Sequence, residues 1–260
     1  MDDTSESGPK APRLARTGFT PSVIAAATLL LSVAAHAGPP YATDDPEPVE
    51  YRHWEFYLAT QHERAPDGSS GTAPHVEVNY GLVPDLQLHL IVPFAYARPS
   101  GGPTTYGAGD VELGAKLRFV QEGERVPMVG TFPQLELPAG SAARGLGTGH
   151  LHAFVPLWLQ KSAGPWTTYG GGGYWLNPGA GNRNFWYVGW QVQRRLSARA
   201  TVGAEAFHTG ADRVGGRGNL RFNAGLVLDL TPRHHLLFSA GRSIAGESLF
   251  QGYLAYQLTL

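Results

Sequence analysis

Between residues 110 and 119 charge alternates with apolar side chains. Asp110, Glu112, Lys116 and Arg118 are interleaved with Val111, Leu113, Ala115, Leu117 and Phe119. Acids and bases at this spacing can trade protons, hold a cation or pair with one another, depending on whether they share a wet cleft or a packed interior. His150 and His152 are also two apart and would put two imidazoles on one strand face. A metal site needs a third ligand, and none adjoins them. Asp44, Asp45 and Glu47 form an acidic group without the spaced template of a calcium loop. Esterase chemistry is marked by Gly-x-Ser-x-Gly, which does not occur, so Ser239 and His235 would have to be brought together by folding. Without cysteine, disulfides and thiolate zinc sites are excluded. These residues predict neither a cofactor nor a resident metal, and no enzyme.

The element that must carry the alternating charges is a strand, because side chains change face with a period of two. Its apolar face fits either a soluble core or lipid, and its charged face either bulk water or a wet lumen. Composition narrows the choice. Of 260 residues 34 are Gly and 20 Pro, only 16% are charged, and the net charge is −1. That is rich in turn formers and poor in charge, which fits neither a helical nor a disordered chain. Near-neutrality gives no electrostatic footprint for nucleic acid.

Residues 1–37 read as a cleaved signal peptide: Lys10, Arg13 and Arg16, an apolar run over 23–35, then Ala35-His36-Ala37. The run is too short to span hydrocarbon as a helix, and no later run reaches the roughly 18 apolar residues a helical span requires. A membrane-resident mature chain must therefore be a closed barrel. Residues 38–52 are rich in Pro and acid and cannot join a sheet interior. They form either a periplasmic tail or a short plug inside a lumen. Residues 53–260 form the barrel.

Twelve alternating runs follow. Pro133 and Pro156 predict bulges or poorly paired positions, and Gly170 to Gly173 predict a bent strand or a smooth backbone track. Connections alternate between long, such as 62–74, 98–107, 139–149 and 209–218, and short, such as 83–85 and 231–233. The expected fold is all-β: a transmembrane up-and-down antiparallel β-barrel of about 12 strands. Trp54, Tyr80, Tyr96, Trp166, Trp186 and Tyr256 fall near strand ends, where aromatic girdles meet the membrane interface. Parity assigns to the lumen Glu55, Glu77, His89, Asp110, Glu112, Lys116, Arg118, Glu136, His150, His152, Gln191, Arg195, Glu205, Arg221 and Asp229. These residues either hold a narrow barrel together by pairing or set the selectivity of a solute path.

Several stretches resemble a bacterial outer-membrane family known as "MetA-pathway of phenol degradation" proteins, or transporters. They include GPPYATDDPEPVEYRHWEFYL from Gly38, GDVELGAKLRF from Gly109, FPQLELPAG from Phe132 and PLWLQKSAGPWTTYGGGGYWLNPG from Pro156. NRNFWYVGWQVQRR from Asn182 and HHLLFSAGR from His234 extend the resemblance over the mature chain. It implies an outer-membrane barrel but transfers no catalytic or binding residue. The expected function is a narrow channel or transporter for small solutes, with aromatic or hydrophobic compounds suggested by the family label alone. The alternatives are a structural or assembly protein and an outer-membrane lipid hydrolase. Expected partners are outer-membrane lipid, a small-molecule solute and the barrel-assembly machinery. The C-terminal Leu260 departs from the aromatic end common among such barrels.

Overall fold

The structure is a computed structural model and describes residues 39–260. The predicted signal over residues 1–37 lies outside the described residues. The strand segments are β1 (Trp54–Ala65), β2 (Gly68–Val83), β3 (Leu86–Pro99), β4 (Thr105–Ala108), β5 (Val111–Val120), β6 (Met128–Thr131) and β7 (Gln134–Leu137). They continue as β8 (His152–Ala163), β9 (Trp166–Leu176), β10 (Phe185–Ser197), β11 (Ala200–Thr209), β12 (Asn219–Thr231), β13 (His234–Ala245) and β14 (Phe250–Thr259). The strands pair antiparallel, and β1 closes on β14 from Glu55 opposite Thr259 to Arg64 opposite Phe250. Both β4 and β5 pair with β3, while β6 and β7 share the place between β5 and β8. The segments thus build a closed barrel of 12 strands. Closure satisfies the backbone within the wall and leaves no sheet edge.

The two prolines expected to disturb the wall do so together. β6 and β7 are separated at Phe132-Pro133, and Pro156 of β8 faces that gap while staying in continuous register with β9. Neither ring supplies an N–H, so the break falls where the ladder could not be completed. The glycine run of β9 does not leave a bare track. A Cβ on Gly173 would stand 2.5 Å from the Phe154 ring, and one on Gly170 2.5 Å from the Trp190 ring. These glycines make room for aromatic rings on both sides of the wall.

Residue facing follows parity. Leu58, Val76, Leu88, Leu113, Val155, Val188 and Phe238 are exposed on the outside. Tyr57, His75, Glu77, His89, Lys116, Gln191, Glu205 and His235 are buried inside. Two connections are shorter than the sequence suggested. The expected loop 62–74 is mostly strand, because β1 and β2 continue to a turn at residues 66–67, and β3 runs on to Pro99. Polar residues break the alternation there without ending the strands. Among the described residues no helix is long and apolar enough to cross a membrane.

Residues 39–50 run through the inside of the barrel, which decides between tail and plug. The Arg52 amide donates to the Gly81 carbonyl at 2.7 Å, and the His53 amide to the Glu50 carbonyl at 3.0 Å. Arg52 takes a left-handed conformation (φ 65°) there, turning the chain out of the interior and into β1.

Candidate functional site: an occupied lumen

The interior segment is held along its whole length. The Glu205 carboxylate on β11 accepts the backbone amides of Ala42 at 2.8 Å and Thr43 at 2.7 Å. The Ser239 hydroxyl on β13 donates to the Pro40 carbonyl. Gln87 on β3 accepts the Val49 amide at 2.8 Å, and Gln160 on β8 donates to Glu47 at 2.8 Å. A chain with prolines at 39, 40, 46 and 48 cannot pair its own backbone as a strand or helix, so the wall side chains meet its groups instead.

Absent side chains on the wall create the space. A Cβ on Gly189 would stand 2.3 Å from the Thr43 hydroxyl, one on Gly203 2.5 Å from the Tyr41 hydroxyl, and one on Gly130 2.8 Å from Pro46. These inward glycines are the seats of successive residues of the segment.

Charge fixes its centre. The Lys116 ammonium reaches Asp44 at 2.8 Å and Asp45 at 3.3 Å, and the Asp45 side chain is 0% exposed. Burial raises the Asp45 carboxyl above the ordinary carboxylate range, against the pull of the Lys116 ammonium. Burial likewise raises the Tyr41 hydroxyl. The ion pair is desolvated, so removing one partner strands the other.

Two further groups of side chains share the interior. One is polar: Glu77 accepts from Asn79 at 2.9 Å, and His89 meets Asn79 at 2.6 Å through Nδ1 and Glu112 at 3.0 Å through Nε2. Nearby, His152 faces Glu136 at 3.3 Å. The other is aromatic. From the rim at the loop end, Phe185 stacks on Trp175 at 6.1 Å, and Trp175 on Phe154 at 4.8 Å. Phe154 meets Tyr187 edge-on at 6.0 Å, and Tyr187 stacks on Phe207 at 5.8 Å. The Tyr187 hydroxyl lies 3.3 Å from that of Thr43, so the aromatic wall reaches the interior segment.

The remaining residues singled out by parity have assorted places. Glu55 accepts from the Tyr57 hydroxyl at 2.7 Å, and Arg118 donates to Asp85 in the β2–β3 turn at 2.7 and 2.9 Å. Arg221 meets Glu63 at 2.8 Å, with Phe207 beside it, and Asp229 meets His235 at 2.7 Å. Gln191 is fully buried, and Arg195 sits near the β10–β11 turn with its amide on the Pro165 carbonyl at 2.8 Å. Two placements differ from the sequence reading. Asp110 stands between β4 and β5 and accepts from Gly140 at 2.8 Å and from the Thr148 amide at 2.6 Å, tying down the 138–151 loop. His150 is exposed in that loop, outside the wall, and does not share a strand face with His152. The alternation that justified His150 ends one residue before β8 begins. Ser239 and His235 lie four residues apart on one strand, roughly 13 Å at strand rise, so they form no nucleophile–base pair.

The aromatics at strand ends form two levels. Trp54 stacks on Tyr80 at 4.2 Å, Trp166 lies under Arg194 at 5.1 Å, and Tyr256 bonds His234 toward the short-turn end. Tyr96 and Tyr106 at 6.0 Å, and Trp186 and Tyr174 at 4.8 Å, lie toward the loop end.

Sequence reasoning missed the wall residues that hold the segment, namely Gln87, Gln160 and Ser239, and the inward aromatics Phe154, Trp158, Tyr187 and Phe207. The aromatics were accessible by parity: Phe154 and Trp158 share a face with His152 and Gln160, and Phe207 shares one with Glu205.

No protein-family model and no curated protein matches the chain. Solved structures do. The COG4313 outer membrane channel from Pseudomonas putida F1 is 17% identical, with TM-score 0.70 over 86% of this chain and 100% of that one. NanC porin is 7% identical, with TM-score 0.55 over 79% of this chain and 100% of that one. KdgM porin, solved in complex with a disordered oligogalacturonate, is 11% identical, with TM-score 0.54 over 78% and 98%. At these identities the likeness is one of fold. The chain has the barrel of outer-membrane channels and porins, and its closed wall with an apolar exterior belongs in the outer membrane.

Proposed function

We propose that the protein is a narrow outer-membrane channel for small solutes whose path is occupied at rest by residues 39–50. The observation that carries this reading is the seating of that segment on inward glycines and on the buried Lys116. Twelve-stranded barrels lie between those filled by side chains and those with open aqueous channels. Here a removable piece of chain takes up the difference, so passage requires the segment to shift.

The wall above the segment supports a reading of the solute class. An entrant from the loop end meets the faces and edges of Phe185, Trp175, Phe154 and Tyr187 along one wall, with the paired Glu136–His152 and Arg221–Glu63 on the others. Ring faces favour flat, apolar solutes through stacking contacts. Small aromatic compounds therefore fit this reading better than sugars or ions, in keeping with the phenol-degradation family that the sequence resembles. The deeply packed interior also favours a second reading, a purely structural barrel.

Reconstitution into liposomes separates the two. The channel reading expects the protein to raise uptake of a small phenol above that of bare liposomes by a larger factor than it raises uptake of a sugar of similar size, with that preference weakened in Phe154→Ala. Equal rates with and without protein for both solutes would leave the structural reading.

A further inference from the structure

Cations inside the wall are matched: Lys116, Arg118 and Arg221 each pair with a carboxylate. On the outer face near the turns, Lys161 pairs with Glu122 and Arg194 lies over Trp166. Three outward arginines at the loop end have no such partner. Arg242 on β13, Arg64 on β1 and Arg98 on β3 are exposed, and among the described residues no carboxylate pairs with any of them.

Their registers coincide. Arg242 stands opposite Phe250, Phe250 opposite Arg64, Arg64 opposite Ser69, and Ser69 opposite Arg98. The three guanidinium-bearing residues thus form one row across five consecutive strands. Neighbouring strands are about 4.8 Å apart, so successive arginines sit roughly 10 Å apart. Strand tilt makes the row climb toward the loops. Toward the bilayer the same outer face continues in Phe238, Leu254, Phe94 and Tyr96, which are apolar or girdle residues.

We propose that the β13–β14–β1–β2–β3 face at the loop end binds a phosphorylated, acylated lipid of the outer leaflet. The arginine row would take its phosphates, and the apolar wall beneath would take its acyl chains. Guanidinium is the side chain suited to bidentate phosphate contact, and its stem can lie along apolar surface while the head reaches the interface. A row of unmatched positive charge at a membrane rim is complementary to a lipid carrying more than one phosphate.

The test uses the full mature barrel in neutral detergent, with native mass spectrometry of bound diphosphoryl lipid A. Each interfacial Arg contributes about a factor of five to binding an anionic lipid, so the triple variant Arg64→Gln/Arg98→Gln/Arg242→Gln should bind on the order of a hundredfold more weakly. Arg194→Gln, at the turn end, should bind like the unaltered protein. Heat-modifiable migration of each variant confirms that the barrel is folded, and Arg→Lys replacements at the three sites keep the charge if the Gln variant does not fold. Those Lys replacements, which keep the charge but lose the bidentate contact, should bind more tightly than the Gln variant and less tightly than the unaltered protein. Undiminished binding by a folded triple variant would overturn the proposal, as would an equal loss in Arg194→Gln. Displacement of lipid A by millimolar inorganic phosphate would assign the row to free phosphate instead. A parallel loss of phosphatidylcholine would mean that the apolar wall, and not the arginine row, holds the lipid.

Discussion

Lys116 shows how one residue can be placed correctly and its purpose still be hidden. Period-two reading puts it inside, but its partners lie more than seventy residues earlier in a segment that the sequence left as tail or plug. Breaking a desolvated pair by removing one partner costs about 3–5 kcal/mol. Lys116→Met is therefore expected to release residues 39–50, read as protease cleavage within the segment while the wall stays heat-modifiable. The triple variant Lys116→Met/Asp44→Asn/Asp45→Asn removes the stranded charges and should recover much of the protection. Gly189 offers an independent handle: Gly189→Leu projects a side chain into Thr43 and Tyr187, whose nearest atoms are side-chain tips 2.3 and 2.9 Å from the new Cβ. It should expose the same cleavage sites without touching a charge. Continued protection in both Lys116→Met and Gly189→Leu would mean that the segment is held by something other than the ion pair and its glycine seats.

At the scale of the strands, alternation was legible because lipid and lumen make opposite demands on successive residues. Leu113 faces out at 40% exposure beside the inward Glu112 and Gly114. Leu113→Arg should cost about 2–4 kcal/mol near the bilayer midplane, measured as a lowered denaturant midpoint in liposomes, and an unchanged midpoint would contradict the outward assignment. Gly114 is not a tolerant inward site, because a Cβ there would stand 2.7 Å from the Phe132 ring. What alternation could not give is the end of a strand. Residues 62–74 look like a loop because polar residues occupy both faces there, so the apolar alternation stops before the hydrogen bonds do. The error at His150 has the same origin in reverse, since two histidines spaced for a strand straddle its start. The break at Pro133 was visible in the sequence, but its match to Pro156 on the next strand is a matter of register.

For the whole molecule, the closed barrel and its strand number followed from local pattern, whereas the occupant of the lumen is a long-range property. Residues 38–52 carry a clear local statement, that they cannot be sheet. Only the inward glycines, invisible as seats until register is known, say where they go. We further propose that the mature chain begins at Gly38, just ahead of the seated residues, and intact-mass measurement of outer-membrane protein should find that terminus; retention of residues 23–35 would contradict it. The most direct test of an occupied path is single-channel recording of the mature barrel beside a folded variant lacking residues 39–50. A barrel with its path occupied predicts small or rare openings in the first and a large, steady conductance in the second. Indistinguishable conductance in the two would contradict it.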